Sequence, residues 1–223
     1  MGDRPTRLID LSHVITEGMV TYKGLPGPHI CDFISREQSV ANYDDGSTFQ
    51  IGSIDMVANT GTYVDVPSHR FADGKDLSEV EIEAFADLPA LVVRQPFEGG
   101  LAVDLAAFDG LDVRGKAVLI ATGWDRHWGS DQYYRDHSFL TEEAAKRLIA
   151  DGVALVGIDS HNIDDTRVRT RPVHTALLGA GIPICEHMTG LGALPDNGFR
   201  FTAAPPKVKG MGTFPVRAYA LID

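Results

Sequence analysis

Residues 141–159, TEEAAKRLIADGVALVGID, decide the fold class. Thr141 can cap a helix, Glu142 and Glu143 suit the positive end of its dipole, and Gly152 stops it. The helix predicted over 141–151 runs directly into 153–158, a continuous apolar segment of the kind buried on both faces of a parallel sheet. A helix feeding a buried strand is a unit of an α/β fold. Working outward, 90–93 and 117–121 are further buried-strand segments, and 8–15 and 49–57 read as extended runs. A second helix is predicted over 172–178, with Pro172 in its first turn and Gly179 and Gly181 at its end. Strands over 182–186, 199–202 and 216–222 complete the pattern. No repeat, low-complexity tract or long linker divides the chain, which predicts one mixed α/β domain over residues 1–223.

The composition excludes more than it names. Hydrophobic residues make up 43% of the 223 and charged residues 23%, which is globular and neither disordered nor fibrous. A formal charge of −11 argues against a nucleic-acid partner and against an anionic membrane surface. Two cysteines, Cys31 and Cys185, are too few for a disulfide scaffold and suit a reducing compartment. No apolar run reaches the ~20 residues of a membrane helix. Residues 1–6 lack the apolar core of a secretory signal, and Gly2 and Thr6 match a myristoylation pattern only by letter. The expectation is a soluble, cytoplasmic protein.

The segment that carries chemistry is 59–69, NTGTYVDVPSH. In an extended backbone Asn59, Gly61, Tyr63 and Asp65 share one face, while Val64 and Val66 take the other. A straight strand leaves Asp65 and His69 about 13 Å apart. Pro67 lacks the donor that a central strand needs, so the chain is expected to turn there and bring His69 back. Two readings stand: a metal or acid–base site at a strand end, or a capped turn with a solvent-facing histidine. The acidic stretch Asp159-Ser160-His161 with Asp164 and Asp165 is the rival cluster, either a second metal site or, the favoured reading, the loop wall beside the first. Cys185 alternates with Glu186 and is expected to face the packed core. His187 is expected to point away from Glu186 as a structural residue. His13, His29, His127 and His137 have no partner pattern and read as surface or loop residues. The aromatic residues Trp124, Trp128, Tyr133 and Tyr134 read as a pocket wall or a contact between subunits.

The 59–69 segment resembles the signature His-x-Gly-Thr-His-x-Asp-x-Pro-x-His of the bacterial kynurenine formamidase and cyclase-like metal-dependent hydrolases. Asp10-Leu11-Ser12-His13, Thr122-Gly123-Trp124, Val156-Gly157-Ile158-Asp159, Pro172 to Leu178 and Ile182 to Glu186 resemble further parts of that family, in order and in spacing. The resemblance implies a swivelling β/β/α fold. It also implies metal ligation by Asp65, His174 and Glu186, with His69 as general acid/base. Two further ligand histidines of the family's first metal position fall on Asn59 and Tyr63, either a degraded first site or a substrate contact. An amide and a phenol are poor replacements for imidazole. One divalent ion, Zn²⁺ or Mn²⁺, is therefore expected rather than two. Tyr22 and Trp124 are candidate substrate contacts, and a homodimer or homotetramer is implied. The activity implied is hydrolysis of a small amide or formamide of the N-formylkynurenine type. Hydrolysis of a lactone or cyclic imide, or a weakened binding protein of the same fold, are the alternatives.

Overall fold

The computed structural model describes residues 7–222, so the reading of residues 1–6 falls outside it. In chain order the strands are β1 (Arg7–Asp10), β2 (His29–Ile34), β3 (Ile51–Asp55), β4 (Tyr63–Asp65), β5 (Leu88–Arg94), β6 (Ala102–Val103) and β7 (Ala117–Ala121). Then come β8 (Phe139–Leu140), β9 (Leu155–Ile158), β10 (Ile184–Glu186), β11 (Asn197–Thr202), β12 (Thr213–Pro215) and β13 (Tyr219–Ile222). The helices are α1 (Arg36–Ser39), α2 (Glu142–Asp151) and α3 (Pro172–Gly179).

Nine strands form one mixed sheet in the order β1-β13-β11-β5-β7-β9-β10-β4-β12. The central β5, β7, β9 and β10 run parallel, and the strands outside them join antiparallel. Helices α2 and α3 lie in the crossovers from β7 to β9 and from β9 to β10. This is the mixed α/β architecture expected from 141–159.

The two faces of the sheet bury separate cores. Along β7, Ala117, Leu119 and Ala121 enter one and Val118 and Ile120 the other, as strand alternation requires. The second core lies beneath the helices, where Leu148 of α2 and Leu177 of α3 are fully buried. Each such leucine contributes about 2 kcal/mol by removing its apolar surface from water. Thr141 caps α2 by accepting from the Ala144 amide (3.3 Å), and Gly152 ends it at φ 83°, a conformation that favours glycine.

Three extended segments differ from expectation. The strand expected over 8–15 stops at Asp10, because the Ser12 hydroxyl and the Ala218 amide bond each other (2.7 Å) and Ser12 bridges to Met188 instead. The run expected over 49–57 narrows to β3, whose residues are all exposed. It pairs with β2 in a ribbon apart from the main sheet. The short edge strand β12 had no counterpart in the sequence reading.

Candidate metal centre

Strand alternation and register assemble the site. Val64 enters the first core, so Tyr63 and Asp65 face the helix side of the sheet. Antiparallel pairing sets Glu186 opposite Tyr63 and Ile184 opposite Asp65, so Glu186 shares that face. Cys185 falls on the other side in the first core, and burial raises its thiol well above the usual range. On the outer flank of β4, Thr213 stands opposite Asp65. The cleft lies at the carboxyl end of the parallel strands, where open α/β sheets place ligands.

Beyond Asp65 the chain turns at Pro67 into a single 3₁₀ turn (Pro67–His69), and the His69 ring returns to the carboxylate, Nδ1 to Oδ1 3.5 Å. Strand β12 can approach that turn only because residue 212 is glycine. A Cβ there would sit 2.2 Å from the His69 amide nitrogen. The Thr213 hydroxyl donates to Asp65 Oδ1 and lies 2.7 Å from His69 Nδ1. A carboxylate only accepts, so the one hydroxyl proton goes to Asp65 and His69 Nδ1 donates to Thr213. Thr213 thereby selects the tautomer that leaves the His69 Nε2 lone pair free.

His174 sits in the first turn of α3. Asp164 accepts from the Val173 and His174 amides at 2.7 and 3.0 Å, which caps the helix from nine residues away, and from His174 Nδ1 at 2.6 Å. A carboxylate behind an imidazole is the usual device for orienting a metal-ligating histidine. It aims His174 Nε2 at Asp65 Oδ2 and Glu186 Oε1, both 3.6 Å away. Burial alone lowers the His174 pKa, but Glu186, Asp164 and Asp65 together raise it above the histidine range. Glu186 is raised above the carboxylate range by burial and by the neighbouring Asp65.

One oxygen tests the fit to a cation. Asp65 Oδ2 is buried and has no hydrogen-bond partner, whereas both Glu186 oxygens are engaged, by the Ile163 amide (2.6 Å) and the Tyr63 hydroxyl (2.8 Å). An unpartnered buried carboxylate oxygen is costly unless a cation meets it. Asp65, His69 and His174 offer ligand atoms all within 4.8 Å of one another, and Glu186 Oε1 adds another beside His174. This nitrogen and oxygen donor set fits a divalent metal ion.

The chain's likeness to known proteins bears on this geometry. The family described as putative cyclase matches residues 9–165. The chain belongs to that family. It is 26% identical over 206 residues to a kynurenine formamidase of Erythrobacter litoralis, spanning 91% of this chain and 88% of the relative. Isatin hydrolase A of Labrenzia aggregata superimposes with a TM-score of 0.82 at 21% identity, over 97% of this chain and 94% of that one. A potential metal-dependent hydrolase with cyclase activity superimposes with a TM-score of 0.79 at 24% identity, over 98% of each chain. The two structural likenesses carry the fold.

In this cyclase-family chain Asn59 and Tyr63 serve hydrogen bonding. The Tyr63 hydroxyl donates to Glu186 Oε2, accepts from His187 Nε2 (3.1 Å) and is bonded by Asn59. Burial, then Glu186 and Asp65, push the phenol well above its ordinary pKa, so it stays a neutral donor. His187 corrects the expectation that it points away. Its backbone is left-handed (φ 54°), which breaks the alternation after Glu186 and turns the buried ring to Tyr63 and to the Tyr133 hydroxyl (2.8 Å).

The rival acidic cluster divides into separate roles. Asp159 accepts from the Thr122 and Gly123 amides (2.9 and 2.8 Å) and from the Thr122 hydroxyl (2.5 Å), anchoring the loop after β7. Asp165 forks with Arg167 at the surface, and the His161 ring packs under Tyr22 at 4.5 Å between centroids. Asp164, behind His174, is the member that the sequence reading missed. Tyr22 lines the cleft. Trp124 does not: it is buried, its indole N–H donating to the Tyr133 carbonyl (3.0 Å). His13 and His137 lie in loops, as one of the two readings had it, but not at the open surface. His13 stacks on Trp128 at 3.8 Å, and burial lowers it to about 4. His137 is buried between the Thr166 hydroxyl and the Ser138 carbonyl.

Proposed function

We propose that this chain is a metal-dependent hydrolase of a small amide, with a formamide of the N-formylkynurenine type as the first substrate to test. The observation that carries the reading is the Asp65 Oδ2 without a hydrogen bond, buried 3.6 Å from His174 Nε2, behind a cleft that His174, His69 and Glu186 line. The names of the curated relative and of the structural neighbours, a formamidase and two hydrolases, point the same way.

Asp65, His174 and Glu186 would hold one divalent ion. Such an ion, when bound, supplies a water of pKa near ~7 and a polarised carbonyl. His69 does the proton work. Its Nε2, left unprotonated by the Thr213 contact, takes a proton from the attacking water and returns it to the departing amine. Tyr63 donates to Glu186 Oε2, and as a neutral phenol beside the Asn59 amide it offers a second ion no imidazole to bind. One ion per chain follows. The reading extends to a cytoplasmic homodimer or homotetramer without nucleic-acid or membrane partners. Among the described residues no helix is long and apolar enough to cross a membrane.

Metal analysis of purified protein, followed by assay with Zn²⁺ or Mn²⁺ against formamides, lactones and cyclic amides, tests the reading. About one ion per chain, absent from Asp65→Ala and His174→Ala, is expected, with turnover of a formamide. A chain that binds neither ion would be a binding protein and sinks the proposal. Two ions in the wild type would overturn the part assigned to Tyr63.

A further inference from the structure

Behind Glu186 runs a row of buried side chains. Glu186 Oε2 accepts from the Tyr63 hydroxyl (2.8 Å), Tyr63 meets His187 Nε2 (3.1 Å), and His187 Nδ1 meets the Tyr133 hydroxyl (2.8 Å). All four residues are buried, and neither His187 nor Tyr133 lines the cleft. His187 has a left-handed backbone (φ 54°), which a non-glycine residue keeps only where its surroundings hold it there. Here the Thr62 hydroxyl, next in sequence to Tyr63, donates to the His187 carbonyl (2.6 Å). Trp128 packs edge-on to the His187 and Tyr133 rings.

The row runs in one direction. An ionised Glu186 only accepts, so Tyr63 spends its single proton on Oε2 and its oxygen is left to accept. The His187 proton therefore sits on Nε2. Burial keeps the imidazole neutral, so Nδ1 is an acceptor and Tyr133 donates to it. A proton on Nδ1 instead turns Nε2 into an acceptor that competes with Glu186 for the Tyr63 hydroxyl.

We propose that His187 and Tyr133 are positioning residues for Glu186, acting through Tyr63 on a carboxylate that neither of them hydrogen-bonds. Tyr133 holds the His187 ring, and His187 holds the Tyr63 hydroxyl on Oε2. The Ile163 amide holds Oε1, which lies 3.6 Å from His174 Nε2. Both carboxylate oxygens are thus oriented before an ion arrives, and an oriented ligand loses less freedom on binding. The proposal rests on the reading of Glu186 as a ligand of a divalent ion.

Two measurements separate this row from ordinary packing. The first is the His187 tautomer in nitrogen-15 spectra of metal-free protein near pH 9, assigned by its loss in His187→Gln. Wild type is expected to show the proton on Nε2. In Glu186→Gln the amide oxygen keeps the Ile163 contact and its NH₂ faces Tyr63, which must then donate to His187 Nε2. The His187 proton should move to Nδ1. A wild-type proton on Nδ1, or an unchanged tautomer in Glu186→Gln, overturns the proposal. The second is Zn²⁺ affinity by chelator competition. Tyr63→Phe should weaken it about 10- to 100-fold, the scale for a residue that orients a ligand. Tyr133→Phe should weaken it about 3- to 10-fold, the net worth of one neutral hydrogen bond. The double variant should lose no more than Tyr63→Phe alone, because Tyr133 acts through Tyr63. Unchanged affinity in Tyr133→Phe, or losses that multiply in the double variant, overturn the proposal and leave Tyr133 a packing residue. If wild type binds no ion, the metal reading is what has failed, and the tautomer switch alone decides whether the row orders Glu186.

Discussion

Asp65 and Asp159 are both buried carboxylates near the carboxyl ends of strands on the same sheet, yet their surroundings are opposite. Asp159 is surrounded by donors, the amides of Thr122 and Gly123 and the Thr122 hydroxyl. Asp65 accepts at one oxygen from Thr213 and leaves the other without a hydrogen bond, with His174 Nε2 standing 3.6 Å away. A buried acid with its donors supplied by backbone is an anchor for a loop. One left short of donors, beside two other ionisable groups, is a place for a cation. Burial alone does not separate the two, and counting donors at each oxygen does.

The largest expected difference comes from making the same isosteric change at both. Asp65→Asn should cost at least about a thousandfold in kcat, the several kcal/mol that a bound cation contributes, together with the ion itself by metal analysis. Asp159→Asn should leave the ion in place and cost about 1–3 kcal/mol in denaturant unfolding, because two amides then face an NH₂ in place of an acceptor. Loss of the ion in Asp159→Asn would erase the distinction.

A middle-sized effect tests whether the engaged Asp65 oxygen matters through His69. Thr213→Val removes the hydroxyl at nearly constant volume and should lower kcat/KM about 10- to 100-fold, with Thr213→Ser restoring most of it. The pH profile should change as well, since a ring free to adopt either tautomer no longer presents Nε2 alone. An unchanged profile would reduce Thr213 to packing.

The smallest effect concerns stability against pH. Burial lowers His13 to about 4 and His161 to about 3, from an ordinary 6.5. Their folded values lie below their unfolded ones, so their contribution is present above pH 6.5 and is lost as pH falls through 4 and 3. Asp159 runs the other way, raised from 3.8 to about 6 chiefly by burial. Its contribution is present below 3.8 and lost as pH rises through 6. Between pH 4 and 6 His13 and His161, joined by His137 and His187 that burial also lowers, outweigh Asp159 and Glu186. Stability should fall on acidification by about 1.4 kcal/mol per pH unit for each net proton. His161→Phe removes a ring whose Nδ1 is buried without a partner. It should flatten that slope by about one proton and change stability near pH 8 by less than about 1 kcal/mol. An unaltered slope in thermal melts between pH 4 and 7 would contradict this assignment.

Much of the fold was legible because local chemistry fixes it. Thr141 and Gly152 bound α2, uninterrupted apolar runs mark β7 and β9, and alternation puts Tyr63 and Asp65 on one face with Val64 on the other. What escaped depends on distant partners or on backbone conformations that no side chain announces. Thr213 acquires meaning only through its register with Asp65, 148 residues earlier. His187 breaks alternation by a positive φ that a non-glycine residue does not advertise. Asp164 reads as one more solvated acid until α3 places its first-turn amides above it. Strand β2, exposed at all but its last residue, carries no burial pattern to read.

Strand β12 ends the nine-stranded sheet and has a ladder partner on one side only. Its amides should therefore exchange with solvent far sooner than those of β7 or β9, through openings that leave the central strands closed. Each such opening withdraws Thr213 from His69. The lifetime of the arranged imidazole is thus set by the fraying of three residues, and warming should silence the enzyme well before circular dichroism registers any loss of helix.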